Sequence, residues 1–540
     1  MVLSEPMTPE SLTMMSAGDL ARAIAAGQTT SRAATEAFIG CIEGVNPALN
    51  AVVVPLFDSA RADADAADAA VARGDALGPL HGVPMTIKEQ FPLRGTPSTL
   101  GIEGRAERRD DQDCLLVARL RAAGAVFLGK TNVPQLLIYN ESDNPVYGRT
   151  NNPWNLSRSP GGSSGGEGAI IAAGGSPLGL ASDIGGSIRG PAHACAIQGL
   201  KPTSGRLSLL DVPPGAFPVG QTAILAQAGP LARTVADLDL TMRVLTAPGQ
   251  EVADPDVPPL PWPDYGAVDL ASLRVGMYVD DGFFPASPAL RRAVREGADA
   301  LRERGVTVVP FTPPEIQEAM ALFFSILGAD GGTSAKEILG RDKRDRRVAG
   351  LLQIAALPNA VRPAAASLLD LAGQHRLAAL FRTVKTLPTE GFWQVNEKTM
   401  RYRAAFSTAL DEAGIDALIC PPLATPALTH GATYYLATAA SYLMLYNLLG
   451  MPAGVVAATT VRQGEESDRR KSLDIVERTA RTVEQDSVGL PVGVQVAARH
   501  WREDVVLAVM AALEEHFTAQ PDYPAQSPLR QKQAHRARTA

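Results

Sequence analysis

The sequence predicts an α/β fold, in which a single large domain contains a twisted, mixed β-sheet covered by helices on both faces. Apolar runs of strand length alternate with helical patterns along the chain, and this alternation is typical of a sheet between layers of helices. Of the 540 residues, 46% are hydrophobic and 20% are charged, as in ordinary globular proteins. No internal repeat of about 20 to 50 residues is visible.

The elements follow in chain order. The N-terminal segment shows helical spacing around residues 21–25, and residues 51–73 are rich in alanine with charged positions, so we expect helices in both places. Strand-length apolar runs occur at residues 125–128, 273–279, 306–311, 417–420 and 492–497.

The chain shows no boundary between domains. The proline-rich connector at residues 255–263 does not divide it, because apolar strands continue on both sides. We expect one domain over residues 1–530, with its core at about residues 15–518. Residues 531–540 are basic and polar, and we expect them to form a disordered tail.

One uncharged stretch, residues 431–461, is long enough to cross a bilayer. Polar side chains and the break at Gly450-Met451-Pro452 divide it, so we expect a buried helix near residues 437–449 and a strand near 454–460. The first residues contain acids and prolines and predict neither a secretory signal nor a transmembrane anchor. The default expectation is a cytoplasmic protein.

Charge and cysteine usage exclude several classes of function. Lys and Arg number 50 against 57 Asp and Glu, a net charge of −7, and no basic stripe occurs, so a nucleic-acid partner is not expected. The cysteines show neither a CxxC spacing nor a histidine at metal-ligand spacing, which favours reduced thiols over a disulfide framework or a zinc site. We expect no metal and no cofactor. The cysteines are Cys41, Cys114, Cys195 and Cys420.

Two local patterns suggest functions that we reject. Residues 124–131, GAVFLGKT, match the phosphate-binding loop GxxxxGK[ST], but their apolar middle suits a buried strand and Pro134 stands where the helix should have begun. His193 lies in a glycine-rich segment but lacks the carboxylate-flanked pattern of a Ser-His-Asp triad. We expect a packed, neutral imidazole there.

The most informative stretch is residues 159–202, where Ser163 and Ser187 each follow a Gly-Gly pair. Glycines allow a ligand to approach backbone N–H groups closely. The successive amides of residues 184–187 can converge on a carbonyl oxygen that gains negative charge, as in an oxyanion hole, with Ser187 beside the carbonyl carbon. The alternative is a flexible linker, but the apolar runs between the two serine motifs require burial.

A serine nucleophile needs a base, and no histidine offers a convincing one. Lys88 ends the apolar run GVPMTIK, and burial lowers the pKa of a lysine so that its neutral amine can accept a proton. Alone, an apolar-flanked lysine more often extends its amine to solvent. Together with the two serine motifs, Lys88 predicts a hydrolase site.

These residues resemble the amidase signature family over about residues 15–518. The family's blocks occur in the family's order: GVPMTIKE, SPGGSSGGEGA, SDIGGSIRGPA, GLKPTSGRLS, LGMPAGVV and SVGLPVGVQVAARHWREDVVLAVM. The resemblance implies the amidase-signature fold and hydrolysis of carboxylic amides through a Ser-Ser-Lys triad and an acyl-enzyme. In that triad Ser187 is the nucleophile, Ser163 is the bridging serine, held by a cis peptide, and Lys88 is the base. The implied oxyanion-hole amides are those of Ile184, Gly185, Gly186 and Ser187.

Segments outside the catalytic blocks are similar to the subgroup that hydrolyses fatty acid amides. They include KTNVPQLLIYNESDNPVYGRTNNPW, VPPLPWPDYG and LRVGMYVDDGFFPASPALRRAV. This likeness implies an N-acyl or fatty acid amide substrate with an apolar acyl group, and Leu137 and Ile138 as acyl-pocket candidates. An amphipathic face either makes a peripheral membrane contact or packs on the protein's own core. That face comprises Leu377, Leu380, Phe381 and Val384.

Several alternatives stay open at this point. Within the family they are an amidase for arylamides, peptides or small amides, and a glutaminase subunit of a tRNA-dependent amidotransferase. The alternative from another class is a catalytically silent binding protein with this fold, and the intact Lys88, Ser163 and Ser187 argue against it. The oligomeric state, with a homodimer as one alternative, cannot be read from the sequence.

Overall fold

The computed structural model describes residues 7–213, 215–216 and 220–539, with side chains described up to residue 534. Its centre is a mixed sheet of 11 strands, and a separate two-stranded ladder joins β4 and β5. The strands of the described residues are β1 Val52–Pro55, β2 Pro84–Lys88, β3 Val126–Thr131, β4 Asp143–Asn144, β5 Gly148–Arg149, β6 Leu178–Asp183, β7 Gln198–Lys201, β8 Gln227–Ala232, β9 Arg274–Met277, β10 Thr307–Pro310, β11 Ala417–Cys420, β12 Ala453–Thr460 and β13 Pro491–Ala498.

The sheet runs in the order β1-β3-β2-β6-β8-β7-β12-β13-β11-β9-β10. Strand β2 pairs in parallel with β3 and with β6, and β9 pairs in parallel with β10 and with β11. The remaining neighbours are antiparallel. The sheet is therefore mixed, as the sequence predicts.

Helices cover both faces of this sheet. Every residue of β2, β3, β6, β11 and β13 is buried. Because successive side chains of a strand point to opposite faces, burial at every position requires cover on both sides. This confirms the predicted architecture.

Twenty α-helices lie in the described residues. They are α1 Pro9–Met14, α2 Ala17–Ala25, α3 Ser31–Leu49, α4 Phe57–Arg73, α5 Leu115–Ala122, α6 Gly165–Ala172, α7 Arg189–Cys195, α8 Val235–Leu245, α9 Gln250–Ala253, α10 Pro288–Glu303, α11 Ile316–Leu327, α12 Thr333–Leu339, α13 Arg346–Ala355, α14 Arg362–Leu371, α15 His375–Thr383, α16 Thr389–Glu412, α17 Ser441–Leu449, α18 Ile475–Glu484, α19 Glu503–Thr518 and α20 Pro528–Thr539.

The uncharged stretch folds as predicted. A short 3-10 helix, Ala437–Ala440, leads into α17, and β12 follows after the break at Gly450. Most of its side chains are buried in the protein core. None of the helices in the described part of the chain combines the length and the apolar content that crossing a membrane requires.

Two expectations about local structure differ from what is observed. Residues 52–55 form strand β1 instead of extending the alanine-rich helix, because three consecutive valines favour extended backbone and pair with β3. The basic tail, expected to be disordered from residue 531, has helical backbone in α20 up to Thr539. Residue 540 lies outside the described residues.

The amphipathic face on α15 is only partly covered. Val384, directly after the helix, is buried, and the half-buried Leu377 packs against the core, while Leu380 and Phe381 are also only half-buried. The exposed apolar side chains in this part of the surface belong instead to α14, where Leu368 is 67% and Leu371 85% exposed. Leu377 and Val384 thus match the alternative of packing on the protein's own core.

Candidate active site

The predicted catalytic residues lie near the carboxyl ends of two neighbouring parallel strands. Lys88 is the last residue of β2, and Asp183 is the last residue of β6. Ser163 lies two residues before α6, and Ser187 lies two residues before α7. In α/β sheets this edge is where ligands bind, because the loops that leave parallel strands converge there.

Lys88 and Ser163 are in direct contact. The Nζ atom of Lys88 donates to Ser163 Oγ at 2.8 Å, and it also donates to the side-chain and main-chain oxygens of Ser182, at 2.8 and 3.3 Å. Lys88 is fully buried. Burial lowers its pKa to about 7, although the negative charges of Asp183, Glu167 and Glu89 favour the charged form. An amine with this pKa is partly neutral near pH 7.

The backbone before Ser163 leaves no room for a side chain. The Gly162–Ser163 peptide is cis, as the resemblance implies. A Cβ atom on Gly162 would lie 2.4 Å from the amide nitrogen of Glu141 and 2.6 Å from the carbonyl oxygen of Tyr139. The Gly162 amide donates to Asn140 Oδ1 at 2.9 Å. Glycine is required here because the 139–141 segment packs directly on it.

A buried ion pair shapes the loop between β6 and α7. The Arg189 guanidinium donates to both carboxylate oxygens of Asp183 at 3.0 Å, and both side chains are fully buried. Although burial raises the pKa of Asp183, the charge of Arg189 holds that pKa well below its usual range. The ionised carboxylate accepts from the amides of Gly186, at 2.8 Å, and Ile188, at 3.1 Å. These bonds define the backbone path around Ser187.

The four expected oxyanion-hole amides differ in their hydrogen bonds. The Gly186 N–H donates to Asp183, so its amide is occupied by a carboxylate in this structure. Three of the four expected donors, Ile184, Gly185 and Ser187, make no such bond within the described part of the chain. A glycine is needed at position 186 for conformational and steric reasons. Its φ is +112°, and a Cβ atom there would lie 2.5 Å from Leu443 Cδ1.

A cavity of about 200 Å³ opens beside these residues. Gly162, Gly185 and Ser187 line it, and Ser187 is half-buried. The acyl-pocket candidates Leu137 and Ile138 form part of its wall. Polar side chains also line it, those of Asn140, Asp330 and Thr433. The larger apolar side chains of the wall are those of Phe323, Phe324, Leu327, Leu351, Leu352, Val384, Leu436 and Met444.

Most residues of this wall could not be recognised as lining residues from the sequence. Phe323 and Phe324 come from α11, Leu352 from α13 and Met444 from α17, far apart in the chain. Each looks like an ordinary core position, because only folding brings these segments together. The sequence around Asp183, in contrast, could have indicated a buried ion pair. The short block of residues 183–189 contains a carboxylate, a glycine pair and an arginine.

His193 is a packed, neutral ring, as predicted. It is buried, its Nδ1 accepts from the Gly493 amide at 3.1 Å, and its Nε2 lies 3.1 Å from the Thr425 carbonyl oxygen. This pairing requires the tautomer with the proton on Nε2. Burial lowers its pKa to about 4.

Comparison with known proteins places the chain in a family. The Amidase family profile matches residues 33–507. The chain belongs to the amidase signature family. Its relatives include fatty-acid amide hydrolase 1 of Sus scrofa, 36% identical over 500 residues that cover 92% of this chain and 84% of the relative. The chain is therefore an amide hydrolase.

Two further comparisons bear on fold and substrate. A solved structure of a fatty acid amide hydrolase superposes with a TM-score of 0.81 at 26% identity, covering 96% of this chain and 88% of that chain. This confirms the amidase-signature fold. A glutamyl-tRNA(Gln) amidotransferase subunit of Chloroflexus aggregans is 39% identical over 318 residues, 58% of this chain and 63% of the relative.

Proposed function

We propose that this amide hydrolase cleaves N-acyl amides with an apolar acyl group, through an acyl-enzyme on Ser187, and releases a carboxylic acid and an amine. One observation carries the proposal. The buried amine of Lys88 contacts Ser163 at 2.8 Å beside the apolar cavity that Ser187 lines. A lysine that is neutral near pH 7 supplies the base that the histidines do not.

In the proposed acylation step, neutral Lys88 takes the proton of Ser163 while Ser163 takes that of Ser187. The Ser187 oxygen bonds to the acyl carbon, and the carbonyl oxygen becomes an oxyanion. The amides of Ile184, Gly185 and Ser187 stabilise its charge. Ser163 then donates a proton to the amine nitrogen as the C–N bond breaks, and Lys88 reprotonates Ser163.

Deacylation repeats the sequence with water as the nucleophile. Ser163 accepts a proton from the water while Lys88 accepts that of Ser163. The water oxygen bonds to the acyl carbon, and the bond to Ser187 breaks as that oxygen regains a proton. The two serines and the lysine carry every proton in this scheme.

The preference for an apolar acyl group is supported by the cavity wall and by the fatty-acid amide hydrolase relative. Each buried methylene contributes up to about 0.8 kcal/mol, so kcat/KM should rise over the first several carbons and then level off. The test is hydrolysis of one amine acylated with chains from acetyl to oleoyl. A decline beyond two or three carbons would favour the small-amide alternative.

The second candidate, a glutaminase subunit, is favoured by the amidotransferase relative. It predicts release of ammonia from glutamine by this chain. The wall is mostly apolar, which disfavours burial of a polar glutamine amide, but its polar members Asn140, Asp330 and Thr433 could supply the hydrogen-bond partners that such an amide needs. Ammonia release from glutamine faster than hydrolysis of a decanoyl amide would favour this candidate.

Peripheral membrane contact is a separate part of the proposal. The exposed Leu368 and Leu371 give α14 an apolar surface of the kind that inserts at a lipid interface. Cosedimentation with phosphatidylcholine vesicles tests it, with a Leu368→Ser/Leu371→Ser variant as the control. Equal sedimentation of both proteins would contradict the contact.

A further inference from the structure

Gln90 lies two residues beyond Lys88, is 3% exposed, and has no part in the proposed reaction. Its Nε2 donates to the Pro213 carbonyl oxygen at 3.0 Å, and its Oε1 accepts from Ser182 Oγ at 2.6 Å. A peptide carbonyl can only accept, so the NH₂ group of Gln90 must face Pro213. The amide oxygen therefore faces Ser182.

This orientation determines what Ser182 can offer to Lys88. The Ser182 hydroxyl has one proton, and the Gln90 oxygen accepts it. Only lone pairs remain on Ser182 Oγ for the contact with Lys88 Nζ at 2.8 Å. The Ser182 main-chain oxygen, 3.3 Å from the same Nζ, is also an acceptor only. Among the described residues, two of the three hydrogen-bond acceptors around Lys88 Nζ thus have no proton to give.

The remaining partner of Lys88 is Ser163. A neutral amine has two N–H donors and one lone pair, and the two donors match the two acceptor-only oxygens of Ser182. The lone pair then faces Ser163 Oγ, which, unlike the two oxygens of Ser182, has a transferable proton. After proton uptake, the three N–H groups of the ammonium match the same three oxygens.

We propose that Gln90 is a positioning residue, which directs the lone pair of neutral Lys88 toward Ser163 by accepting the hydroxyl proton of Ser182. This inference rests on the proposed role of Lys88 as the base. Without the Gln90 oxygen, the Ser182 hydroxyl can donate to the Lys88 lone pair. In that arrangement Lys88 cannot accept the proton of Ser163.

The test is a double-mutant cycle read by the acylation rate, measured as the burst of amine release. Gln90→Met keeps the length of the side chain but removes the acceptor, and should lower the rate about five- to tenfold, the effect of one hydrogen bond. In a Ser182→Ala background no competing hydroxyl exists, so the same substitution should change the rate less than about twofold. An equal loss in both backgrounds would mean a structural role and overturn the inference.

Gln90→Glu supplies a second test that does not depend on the folding of the methionine variant. The second oxygen of the introduced carboxyl group faces the acceptor-only Pro213 carbonyl, so we expect the buried side chain to be a neutral acid that donates to Pro213 and still accepts from Ser182. The plateau of the pH–rate profile should therefore stay within about twofold of the parent. A plateau as low as that of Gln90→Met would overturn the inference.

Lys88→Met in the same assay separates this inference from the proposed function. If that variant keeps the parent's rate and pH profile, Lys88 is not the base and both proposals fail. If Lys88→Met is impaired while Gln90→Met behaves like the parent, only the role of Gln90 fails.

Discussion

The pKa of Lys88 links a single buried side chain to the reaction. Lys88 lies at the end of a strand whose five residues are all buried, and this burial lowers its pKa to about 7. Below that pH the group is an ammonium with three N–H donors and no lone pair, so it cannot act as a base. The neutral fraction grows as pH rises through about 7 and is complete about two units above it.

The first prediction concerns this titration. The acylation rate should rise with pH around an apparent pKa of about 7 and then reach a plateau. Lys88→Met removes the base, so the rate should fall by a factor of about 100 or more and the rising limb should flatten. Stopped-flow measurement of amine release between pH 5.5 and 9 checks both. A rising limb retained in Lys88→Met would assign the titration to another group.

The second prediction concerns the nucleophile. Ser187→Ala should lower kcat by a factor of about 1,000 or more, because covalent catalysis is lost. Its melting curve should match the parent's, since the change removes one hydroxyl from a half-buried position. Ser176→Ala, at the opposite end of β6, is the matched control and should keep kcat within about twofold. Comparable rates for the two variants would remove Ser187 from the reaction.

Site residues that stand in a recognisable sequence motif could be predicted, and site residues outside such motifs could not. Lys88, Ser163 and Ser187 stand in motifs where glycines and apolar neighbours restrict the possible structures, and the structure brings all three to one edge of the sheet. Gln90 lies outside such motifs. The orientation of its amide depends on the hydrogen bond to the carbonyl oxygen of Pro213, a residue more than 100 positions away that the fold places beside it.

At the scale of elements, Arg347 connects α13 to the segment that supports Ser163. Its guanidinium pairs with Glu141, Asp143 and Asp345 at 2.8 to 2.9 Å. The Glu141 side chain is 2% exposed and also accepts from the Gly431 amide at 2.8 Å. These bonds tie a helix of the cavity wall to the loop that packs on Gly162.

The third prediction follows from this network. Arg347→Met leaves the Glu141 carboxylate buried without its cation, which should lower the free energy of unfolding by about 3 to 5 kcal/mol. Urea unfolding measures the change. Arg382→Met is the control, because its ion pair with Asp370 lies on the surface and its loss should leave the midpoint nearly unchanged. Equal midpoints for the two variants would contradict the prediction.

The elements differ in how far their sequences predict them. The strand expected at 417–420 coincides with β11, because its apolar run is bounded on both sides and buried on both faces. The sequence pattern predicts helix for the segment that forms β1, since its three valines adjoin an alanine-rich run and the partner strand β3 is distant in the chain. Pairing with a distant strand overrides the local preference of such a segment.

At the scale of the whole molecule, the cavity wall combines side chains from residue 137 to residue 444. No local pattern contains that information, so an apolar cavity at this place could be expected only from the resemblance, and its shape could not be predicted. Leu137 and Ile138 are the parts of the wall that both the sequence and the structure identify. The backbone of Leu137 is left-handed, with φ of +62°, a conformation that asparagine tolerates well.

The fourth prediction uses that property. Leu137→Asn should reduce the gain in kcat/KM per methylene for long acyl chains, because a polar wall opposes burial of the chain. Acetyl substrates should be hardly affected, since a short acyl group does not reach this wall. Leu137→Met keeps the wall apolar and should retain the parent's dependence on chain length. A uniform loss across all chain lengths in Leu137→Asn would place Leu137 outside the acyl site.

The central claim is that Ser187 is a nucleophile activated by neutral Lys88, and the pH dependence of its covalent modification tests this most directly. A fluorophosphonate probe is incubated with the protein between pH 5.5 and 9. Peptide mapping identifies the labelled residue, and the extent of labelling over time gives the labelling rate. We expect labelling at Ser187 alone, with a rate that rises around pH 7 in the parent and is slow and flat in Lys88→Met. Labelling at another residue, or the same pH dependence in Lys88→Met, would contradict the claim.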